Sequence, residues 1–334
     1  MSKKKSTEEK AIKPRVAIKH LEEYLRGQVV GQKKLIHRLL VGLLADGHLL
    51  VEGPPGLAKT RAINSLAQGM TADFHRVQFT PDLLPADLTG SDVYRPEQGV
   101  FEFIKGPIFH NLILADEVNR APAKVQSALL EAMAEKQVTV GSSSYPLPKL
   151  FLVMATQNPI EQEGTYPLPE AQLDRFLLHV QVEYPDRDAS RDILKITRDE
   201  ARAELGDKKA KHLNPLTQES IFEARKEILG LYVADSVEEY ILQLVEATRD
   251  PGQYGDDLKQ WVRWGSSPRG AIGLERAARA VAWLSGRDYV TPEDVQSIAP
   301  DVLRHRILLD YAAEAEGNTS SGLIDELLNR VPAP

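Results

Sequence analysis

The segment Gly53-Pro54-Pro55-Gly56-Leu57-Ala58-Lys59-Thr60 decides the fold that we expect for this chain. It follows an apolar run at residues 49–51 and precedes a helix-compatible segment at residues 61–69, so it predicts a strand, a glycine-rich turn and a helix. Backbone N–H groups of such a turn point inward, and the helix start adds partial positive charge. The segment therefore predicts a loop that binds a polyphosphate. The alternative is an ordinary Gly/Pro turn that caps a helix.

Each position of this loop has an expected contact with the nucleotide. Lys59 is expected to reach the β- and γ-phosphates, and the Thr60 hydroxyl is expected to bind Mg²⁺. The usual pattern is G-x-x-x-x-G-K-[ST], whereas the sixth position here is Ala58. Alanine is tolerated if it has helical dihedral angles, because only a positive φ demands glycine. The predicted contacts are Gly53, Pro54, Pro55, Gly56, Leu57, Ala58, Lys59, Thr60 and Arg61.

Composition excludes several classes of protein. With 334 residues, 42% hydrophobic and 27% charged, the chain is expected to form a globular protein with room for two domains. It contains no cysteine, which excludes disulfides, zinc–thiolate sites and thiol catalysis. A net charge of −7 predicts no general attraction to nucleic acid or to an anionic membrane. The N-terminus lacks the apolar core of a secretory signal, and the apolar stretch at residues 39–51 is too short to span a bilayer, so we expect a cytoplasmic protein.

The order of apolar runs predicts a parallel sheet with helices on its faces. Five runs resemble buried strands, and turns or helical segments separate them. Helical periodicity precedes them at residues 20–44, with an interruption at residues 27–32, and we also expect a helical segment at residues 169–176. The predicted strands are residues 49–51, 76–79, 111–115, 150–155 and 177–182.

Two segments with strand alternation and turn residues interrupt this rhythm. Residues 93–104 and 137–152 each contain a central turn, at residues 96–99 and 141–144, and both predict β-hairpins that project from the sheet. After residue 184 we expect only helices, one of which starts at Thr291 as N-cap with Pro292 in its first turn. The predicted organisation is a flexible tail at residues 1–17, an αβα nucleotide-binding domain at residues 18–184 and a helical domain at residues 185–334.

Two further strand ends carry polar residues that suit nucleotide hydrolysis. Asp116 and Glu117 follow an apolar strand; Asp116 is expected to hold Mg²⁺ through water, and Glu117 to polarise the attacking water. Asn158 follows another buried strand and would position that water, although Asn-Pro is also a common turn.

Two arginines are candidates for contacts with phosphate. Arg175 pairs with Asp174 if the chain acts alone, or reaches a neighbour's γ-phosphate as an arginine finger if the chains form a ring. Arg269 stands at a helix start, where it could lie over the bound phosphates and link nucleotide state to the domain angle.

In this order the motifs resemble the AAA+ ATPases, and more closely the MoxR family. The MoxR-like segments are Gly56-Leu57-Ala58-Lys59-Thr60, residues 115–126 (ADEVNRAPAKVQ), residues 155–159 (ATQNP) and residues 171–176 (AQLDRF). The family also has alanine at the Ala58 position. The resemblance extends from about residue 18 to the C-terminus, so it implies an αβα domain with hairpin inserts and a helical lid.

The resemblance also implies roles for named residues. Lys59, Thr60, Asp116 and Glu117 would be the Walker residues, Asn158 sensor 1, Arg175 the arginine finger and Arg269 sensor 2. The segment Val29-Val30-Gly31-Gln32 resembles the lining of the adenine pocket, with a glycine turn between two helices as the alternative. ATP and Mg²⁺ would bind between the subunits of a hexameric ring. The hairpins would face the ring pore or a partner, or act as a flap over the nucleotide.

The function implied is that of a chaperone-like motor that matures, assembles or activates client proteins, commonly with a partner that has a von Willebrand factor A domain. Three alternatives are the ATPase subunit of a magnesium chelatase, a nucleic-acid motor, and a switch that binds ATP without hydrolysing it. The acidic balance and the lack of a basic, aromatic-rich insert argue against the nucleic-acid motor. Glu117, Asn158 and Arg175 argue against the switch.

Overall fold

The computed structural model describes residues 13–159, 164–204 and 215–334. Residues 1–12 of the predicted tail lie outside this part of the chain. Helix α1 begins at Pro14, so residues 14–17 of the predicted tail are helical. Proline is favoured in the first turn of a helix because its missing N–H has no intrahelical partner there, which accounts for this start.

Thirteen α-helices lie within the described residues. Those up to the end of the sheet are α1 Pro14–Gln28, α2 Lys33–Leu44, α3 Lys59–Gln68, α4 Pro85–Thr89, α5 Ala123–Glu135 and α6 Glu170–Leu173. Those after it are α7 Arg187–Glu204, α8 Gln218–Leu229, α9 Asp235–Arg249, α10 Pro268–Leu284, α11 Pro292–Leu303, α12 Tyr311–Ala315 and α13 Ser320–Arg330. The segment predicted as a helix at residues 169–176 forms only the single turn α6, because a strand begins at Leu178.

The central sheet has five parallel strands, which are β1 Leu49–Glu52, β2 Phe74–Gln78, β5 Leu112–Asp116, β8 Leu152–Gln157 and β9 Leu178–Gln181. Their order across the sheet is β2-β5-β8-β1-β9. The predicted parallel sheet is confirmed, with strand ends that differ by one or two residues from the expected ones. Since β1 lies between β8 and β9, the segment that follows β1 leaves from an interior strand of the sheet.

Alternate side chains of the strands enter two separate cores. Leu49 and Val51 of β1 pack with helices α1, α2 and α3, whereas Leu50 packs on the opposite face with Val125 and Leu129 of α5. This alternation is the period of two of a β-strand, and burial on both faces explains why the strand sequences are apolar throughout.

The two predicted hairpins are present and pack against each other. Strands β3 Gly90–Arg95 and β4 Val100–Lys105 form one antiparallel pair, and β6 Gln137–Val140 and β7 Ser143–Pro146 form the other. The second hairpin ends at Pro146, before the predicted end at residue 152. The rings of Phe103 and Tyr145 are stacked with centroids 3.9 Å apart and planes 16° apart, so one aromatic pair joins the two hairpins.

The C-terminal part is helical but contains one small sheet. Strands β10 Val262–Trp264 and β11 Leu308–Leu309 form an antiparallel pair, which corrects the expectation of helices only. Thr291 precedes α11 as predicted, and its N–H donates to Asp294 Oδ2 at 2.9 Å. In the described ranges, no helix combines the length and apolarity required to cross a membrane. The predicted division of the chain at residues 184/185 stays a prediction.

Candidate active site

The predicted phosphate-binding residues lie where β1 and β8 end at the carboxyl edge of the sheet. Lys59 begins α3, and its Nζ donates to the carbonyl oxygens of Gly53 at 2.6 Å and Gln157 at 3.4 Å. Asn158 is the residue after Gln157 and is buried. The order of the strands therefore brings the glycine-rich loop, Lys59 and Asn158 into one place.

The backbone of the loop differs from the expectation at Ala58. Its φ of 58° and ψ of 20° lie in the left-handed region rather than the helical one, so the expected reason for tolerating alanine is wrong. A left-handed conformation costs a non-glycine residue about 1–2 kcal/mol. Gly56 also has a positive φ, of 81°, and a Cβ placed on it would contact nothing, so only its backbone conformation favours glycine.

Asp116 and Glu117 lie at the end of β5, joined through Thr156 of β8. The Thr156 hydroxyl donates to Asp116 Oδ1 at 2.6 Å and accepts from the backbone N–H of Glu117 at 2.9 Å. Glu117 has a φ of 57°, which turns the chain sharply after the strand. One hydroxyl thus fixes the relative position of the two carboxylate residues.

Two residues of β2 also contact these carboxylates. Arg76 Nη2 lies 2.6 Å from Asp116 Oδ2, and Gln78 Nε2 donates to Glu117 Oε2 at 2.8 Å. Arg120 Nε lies 3.2 Å from the same Glu117 oxygen. Sequence reasoning missed Arg76, Gln78 and Thr156; the only available signal was their position near the ends of strands in a parallel sheet.

Burial and nearby carboxylates have opposite effects on the pKa of Lys59. Burial lowers the pKa of Lys59, and the negative charges of Asp116, Glu117 and Glu52 act in the opposite direction. A half-buried ammonium near carboxylates at a glycine-rich loop is suited to bind a polyphosphate, which would replace the two carbonyl acceptors.

Val29, Val30, Gly31 and Gln32 connect α1 to α2 and lie beside the phosphate loop. Val29, Val30 and Gln32 line a cavity together with Gly56, Leu57, Ala58 and Arg61. Gln32 Nε2 donates to the Glu183 carbonyl at 3.1 Å, and Gly31 has a φ of 83°. The segment is therefore a turn between helices that also forms a wall of this cavity, and its contact with adenine stays a prediction.

Helix α7 closes the same cavity, which the sequence did not indicate. Ile193, Ile196 and Thr197 line it, and Glu200 forms an ion pair with Arg61, Nη1–Oε2 3.1 Å. Arg61 Nε also donates to the Gln28 carbonyl at 2.7 Å. Arg61 thereby ties the helix after the phosphate loop to both α1 and α7.

Arg175 and Arg269 lie at the opposite edge of the sheet. The Leu177 N–H donates to the His48 carbonyl, which places the start of β9 beside the start of β1. Arg175 precedes this point, and Arg269 Nη1 lies 3.5 Å from Asp174 Oδ2. The four residues of β1 span roughly 13 Å. Arg269 is therefore not placed over the phosphate loop of its own chain, contrary to the expectation.

The alternative in which Arg175 pairs with Asp174 is also not what the structure contains. Asp174 is paired with Arg306 and Arg269, whereas Arg175 Nη1 donates to the Leu130 carbonyl at 2.7 Å. Both arginines line one cavity of about 390 Å³. The structure brings Arg175 and Arg269 together, and separates both from Lys59.

Comparison with known proteins agrees with this geometry. Residues 48–178 match the ATPase family associated with various cellular activities (AAA), and residues 258–327 match the AAA lid domain. The chain is 46% identical to Chaperone MoxR1 of Mycobacterium tuberculosis over 307 residues, which cover 92% of this chain and 79% of that protein. This chain belongs to the MoxR family of AAA+ ATPases.

Further comparisons agree with the assignment. Protein MoxR of Methylorubrum extorquens is 34% identical and covers 96% of both chains. A solved structure of a candidate ATPase from Cytophaga hutchinsonii is 48% identical, covers 96% of both chains and has a TM-score of 0.86. A magnesium-chelatase subunit of Nicotiana tabacum is more distant, at 30% identity over 60% of this chain.

The residues of this MoxR-family chain fit the divalent cation that its fold implies. Thr60 in the first turn of α3 supplies a hydroxyl, and Asp116 at the end of β5 supplies a carboxylate whose charge acts on the neighbouring Lys59. Mg²⁺ prefers such oxygen ligands and is usually held by one or two protein groups together with waters and phosphate. Thr60 and Asp116 are thus the residues that would hold it.

Proposed function

We propose that the chain is a Mg²⁺-dependent ATPase whose active site is completed by a second copy. The observation that supports this is the separation of the two halves of the site: Lys59, Asp116 and Glu117 lie at one edge of the sheet, and Arg175 and Arg269 at the other. Phosphoryl transfer needs cationic groups near the γ-phosphate. Because Arg175 and Arg269 are distant from their own phosphate loop, a neighbouring loop is the site that they would serve.

In this proposal each residue at the carboxyl edge has a defined task. Lys59 and the backbone N–H groups of the loop bind the β- and γ-phosphates. Glu117, oriented by Gln78 and Thr156, accepts a hydrogen bond from the attacking water, and Asn158 holds that water in line. When bound through Thr60 and Asp116, Mg²⁺ supplies positive charge that stabilises the phosphate oxygens.

An active site divided between opposite edges requires a head-to-tail arrangement of subunits. Such an interface uses two different surfaces of the same chain. It closes into a ring when the rotation between neighbouring subunits equals a full turn divided by a whole number of subunits. A hexamer is the ring that the MoxR family implies. The proposed output is movement of the helical lid that remodels client proteins, with a von Willebrand factor A domain protein as partner and the cytoplasm, where ATP is available, as location.

The catalytic assignment is tested by Glu117→Gln in the full chain, with phosphate release and binding of a fluorescent ATP analogue as readouts. We expect turnover to fall by about 100-fold or more while nucleotide binding is retained, because only the group that polarises water is lost. Glu326→Gln, which removes a carboxylate in α13, is the matched control. Equal turnover by wild type and Glu117→Gln would reject the assignment and favour a nucleotide switch.

The shared site is tested by mixing two inactive variants. Glu117→Gln retains the arginines, and Arg175→Ala retains its own phosphate loop and Glu117. If each site is formed by two chains, mixing these variants restores part of the activity, because some Arg175→Ala loops then face an intact arginine. Light scattering with and without ATP measures the assembly. A monomer with normal turnover in Arg175→Ala would exclude a shared site.

A further inference from the structure

Asp174 lies beside Arg269, one of the two arginines that would serve a neighbouring phosphate loop in the proposed function. Its Oδ2 accepts a hydrogen bond from the Ser267 hydroxyl at 3.0 Å and lies 3.5 Å from Arg269 Nη1. Ser267 is the N-cap of α10, and its Oγ also accepts from the Arg269 N–H at 3.1 Å. The carboxylate therefore contacts both the cap and the first turn of the lid helix, where negative charge is favourable.

Arg306 holds the other side of this carboxylate. Arg306 Nε lies 2.9 Å from Asp174 Oδ1, and the Arg306 side chain is only 3% exposed. Burial lowers the pKa of Arg306 to about 10, and the negative charge of Asp174 opposes that shift. A buried guanidinium costs free energy unless a carboxylate pairs with it, so the Asp174–Arg306 pair strongly favours one geometry.

Arg306 also fixes the backbone on both sides of Arg175. Its guanidinium donates to the carbonyls of Asp174 at 3.3 Å, Phe176 at 2.6 Å and Leu177 at 3.3 Å. Arg175 stands between Asp174 and Phe176, so Arg306 fixes the backbone directly before and directly after it. Arg175 Nε is buried and has no hydrogen-bond partner among the described residues, so part of its donor capacity is unused.

The cavity that contains these residues is rich in cationic groups. Arg175, Arg269, Arg276 and Arg306 line it together with Asp174. Arg306 is engaged by Asp174 and by backbone carbonyls, and Arg276 Nη2 donates to the Asp46 carbonyl at 2.9 Å. Donors that an anion could use thus remain on Arg175, which precedes β9, on Arg269, which belongs to α10, and on Arg276 of the same helix.

We propose that the Asp174–Arg306 ion pair is the positioning element of the neighbour-facing site, which aligns Arg269 of the helical lid with Arg175 so that both guanidinium groups contact one anionic ligand, the polyphosphate bound to a second copy of this chain. This inference rests on the proposed function. Asp174 and Arg306 do not touch the ligand themselves. Their effect passes through Arg269 and Arg175, whose displacement by about 1 Å is sufficient to cost roughly 100-fold in rate.

Asp174→Asn tests the proposal because it removes the charge and keeps the shape of the side chain. We expect kcat to fall roughly 10- to 100-fold, while the affinity for a fluorescent ATP analogue changes much less, because Lys59 and the backbone N–H groups of the phosphate loop, which hold the nucleotide, are not displaced. Asp257→Asn, which removes a carboxylate paired with Arg330, is the matched control and retains wild-type turnover.

A double-mutant cycle separates positioning from a general effect on folding. If Asp174 acts by positioning Arg269, Asp174→Asn reduces kcat much less in the Arg269→Ala background than in the wild type. A purely structural role gives the same fold reduction in both backgrounds and overturns the proposal. Ser267→Ala, which leaves the Asp174–Arg306 ion pair intact, provides a milder displacement of Arg269 if Asp174→Asn does not fold, and the same cycle is then measured with it.

The outcomes also distinguish this inference from the proposed function. Normal turnover in Arg175→Ala and Arg269→Ala would reject the shared active site, and with it this inference. Loss of turnover in both arginine variants, together with normal turnover in Asp174→Asn, would reject the positioning role alone and leave the shared site standing.

Discussion

Arg76 Nη2 lies 2.6 Å from Asp116 Oδ2, so the carboxylate that would hold Mg²⁺ already has a cationic partner on the neighbouring strand. Asp116 is the less exposed member, at 13% of its side chain, and Arg76 is half exposed. Arg76 therefore competes with a divalent cation for the charge of Asp116, although solvent weakens that competition.

Replacement of Arg76 by glutamine is expected to lower the Mg²⁺ concentration that gives half-maximal ATP turnover. An exposed pair of this kind contributes about 0.5–1 kcal/mol, which corresponds to a shift of roughly two- to five-fold. A Mg²⁺ titration of phosphate release measures it. Arg95→Gln removes a comparable ion pair with Glu102 in the first hairpin and serves as control. An unchanged or increased Mg²⁺ requirement in Arg76→Gln would contradict the prediction.

Ala58 offers a test of the left-handed backbone in the phosphate loop. Ala58→Gly is expected to retain ATP binding and to raise the free energy of unfolding by up to about 1 kcal/mol, because relief of the left-handed strain exceeds the added entropy of the unfolded chain. Ala58→Val is expected to weaken nucleotide binding, since a β-branched residue strongly disfavours this conformation. Denaturant unfolding and nucleotide titration provide the measurements.

The control for Ala58 is an alanine in a regular helix. Ala132→Gly in α5 is expected to lower the free energy of unfolding by at least about 1 kcal/mol, because glycine is unfavourable inside a helix. Substitution by glycine is therefore expected to change the free energy of unfolding in opposite directions at positions 58 and 132. A loss of stability in Ala58→Gly as large as that in Ala132→Gly would mean that position 58 is not left-handed.

His48 is expected to make the stability of the chain depend on pH. Its Nδ1 accepts from the Val153 N–H at 3.0 Å and its Nε2 lies 3.3 Å from the Met133 carbonyl, which fits a neutral ring with the proton on Nε2. Complete burial lowers the pKa of His48 from 6.5 to about 4. Between these values the unfolded chain binds a proton that the folded chain does not, so stability falls as the pH decreases.

The size of this effect follows from the shift in the pKa of His48, and amounts to about 3 kcal/mol lost between pH 7 and pH 4. Urea unfolding at a series of pH values measures it. His48→Gln carries both a donor and an acceptor but does not titrate, so we expect its loss over the same pH range to be smaller by about that amount. Parallel pH profiles for the two proteins would show that His48 titrates normally.

The stacked rings of Phe103 and Tyr145 are expected to couple the two hairpins. Offset or stacked aromatic pairs contribute about 0.5–1.5 kcal/mol beyond the burial of their area. A double-mutant cycle with Phe103→Leu and Tyr145→Leu, measured by denaturant unfolding, is expected to give a coupling free energy in that range. The exposed pair Tyr94 and Phe101, whose centroids are 5.2 Å apart within the first hairpin, supplies a comparison cycle. Zero coupling between Phe103 and Tyr145 would mean that the hairpins are independent.

Much of the fold was predictable because its signals are local. An apolar run buried on both faces, such as Leu152–Gln157, reads as a strand without knowledge of its neighbours, and Gly141 marks a turn by its own conformational freedom. The short length of the one-turn helix α6 and the pairing of β10 with β11 were not predictable in the same way. Their lengths are set by contacts with distant segments, and two to four residues carry no periodicity.

The candidate site was predictable at the carboxyl edge for a related reason. Parallel strands all end at one edge, so polar residues after separate strands, such as Asp116 and Asn158, meet there once the sheet is assumed. Arg76, Gln78 and Thr156 belong to the same edge, but their residue types are ordinary in strands. Only the order of the strands shows that they touch Asp116 and Glu117.

The amino-acid sequence by itself determined the phosphate loop that begins at Gly53, because glycine spacing, a preceding strand and Lys59 are all encoded within a few residues. It did not determine the backbone at Ala58, since the surrounding packing imposes a conformation that alanine alone disfavours. It also did not determine the partner of Asp174, where Arg306 is 132 residues away in the chain. Only the tertiary structure decided that pair, because packing places the buried guanidinium of Arg306 beside the partly buried carboxylate of Asp174, whereas adjacency in sequence does not bring Arg175 into contact with it.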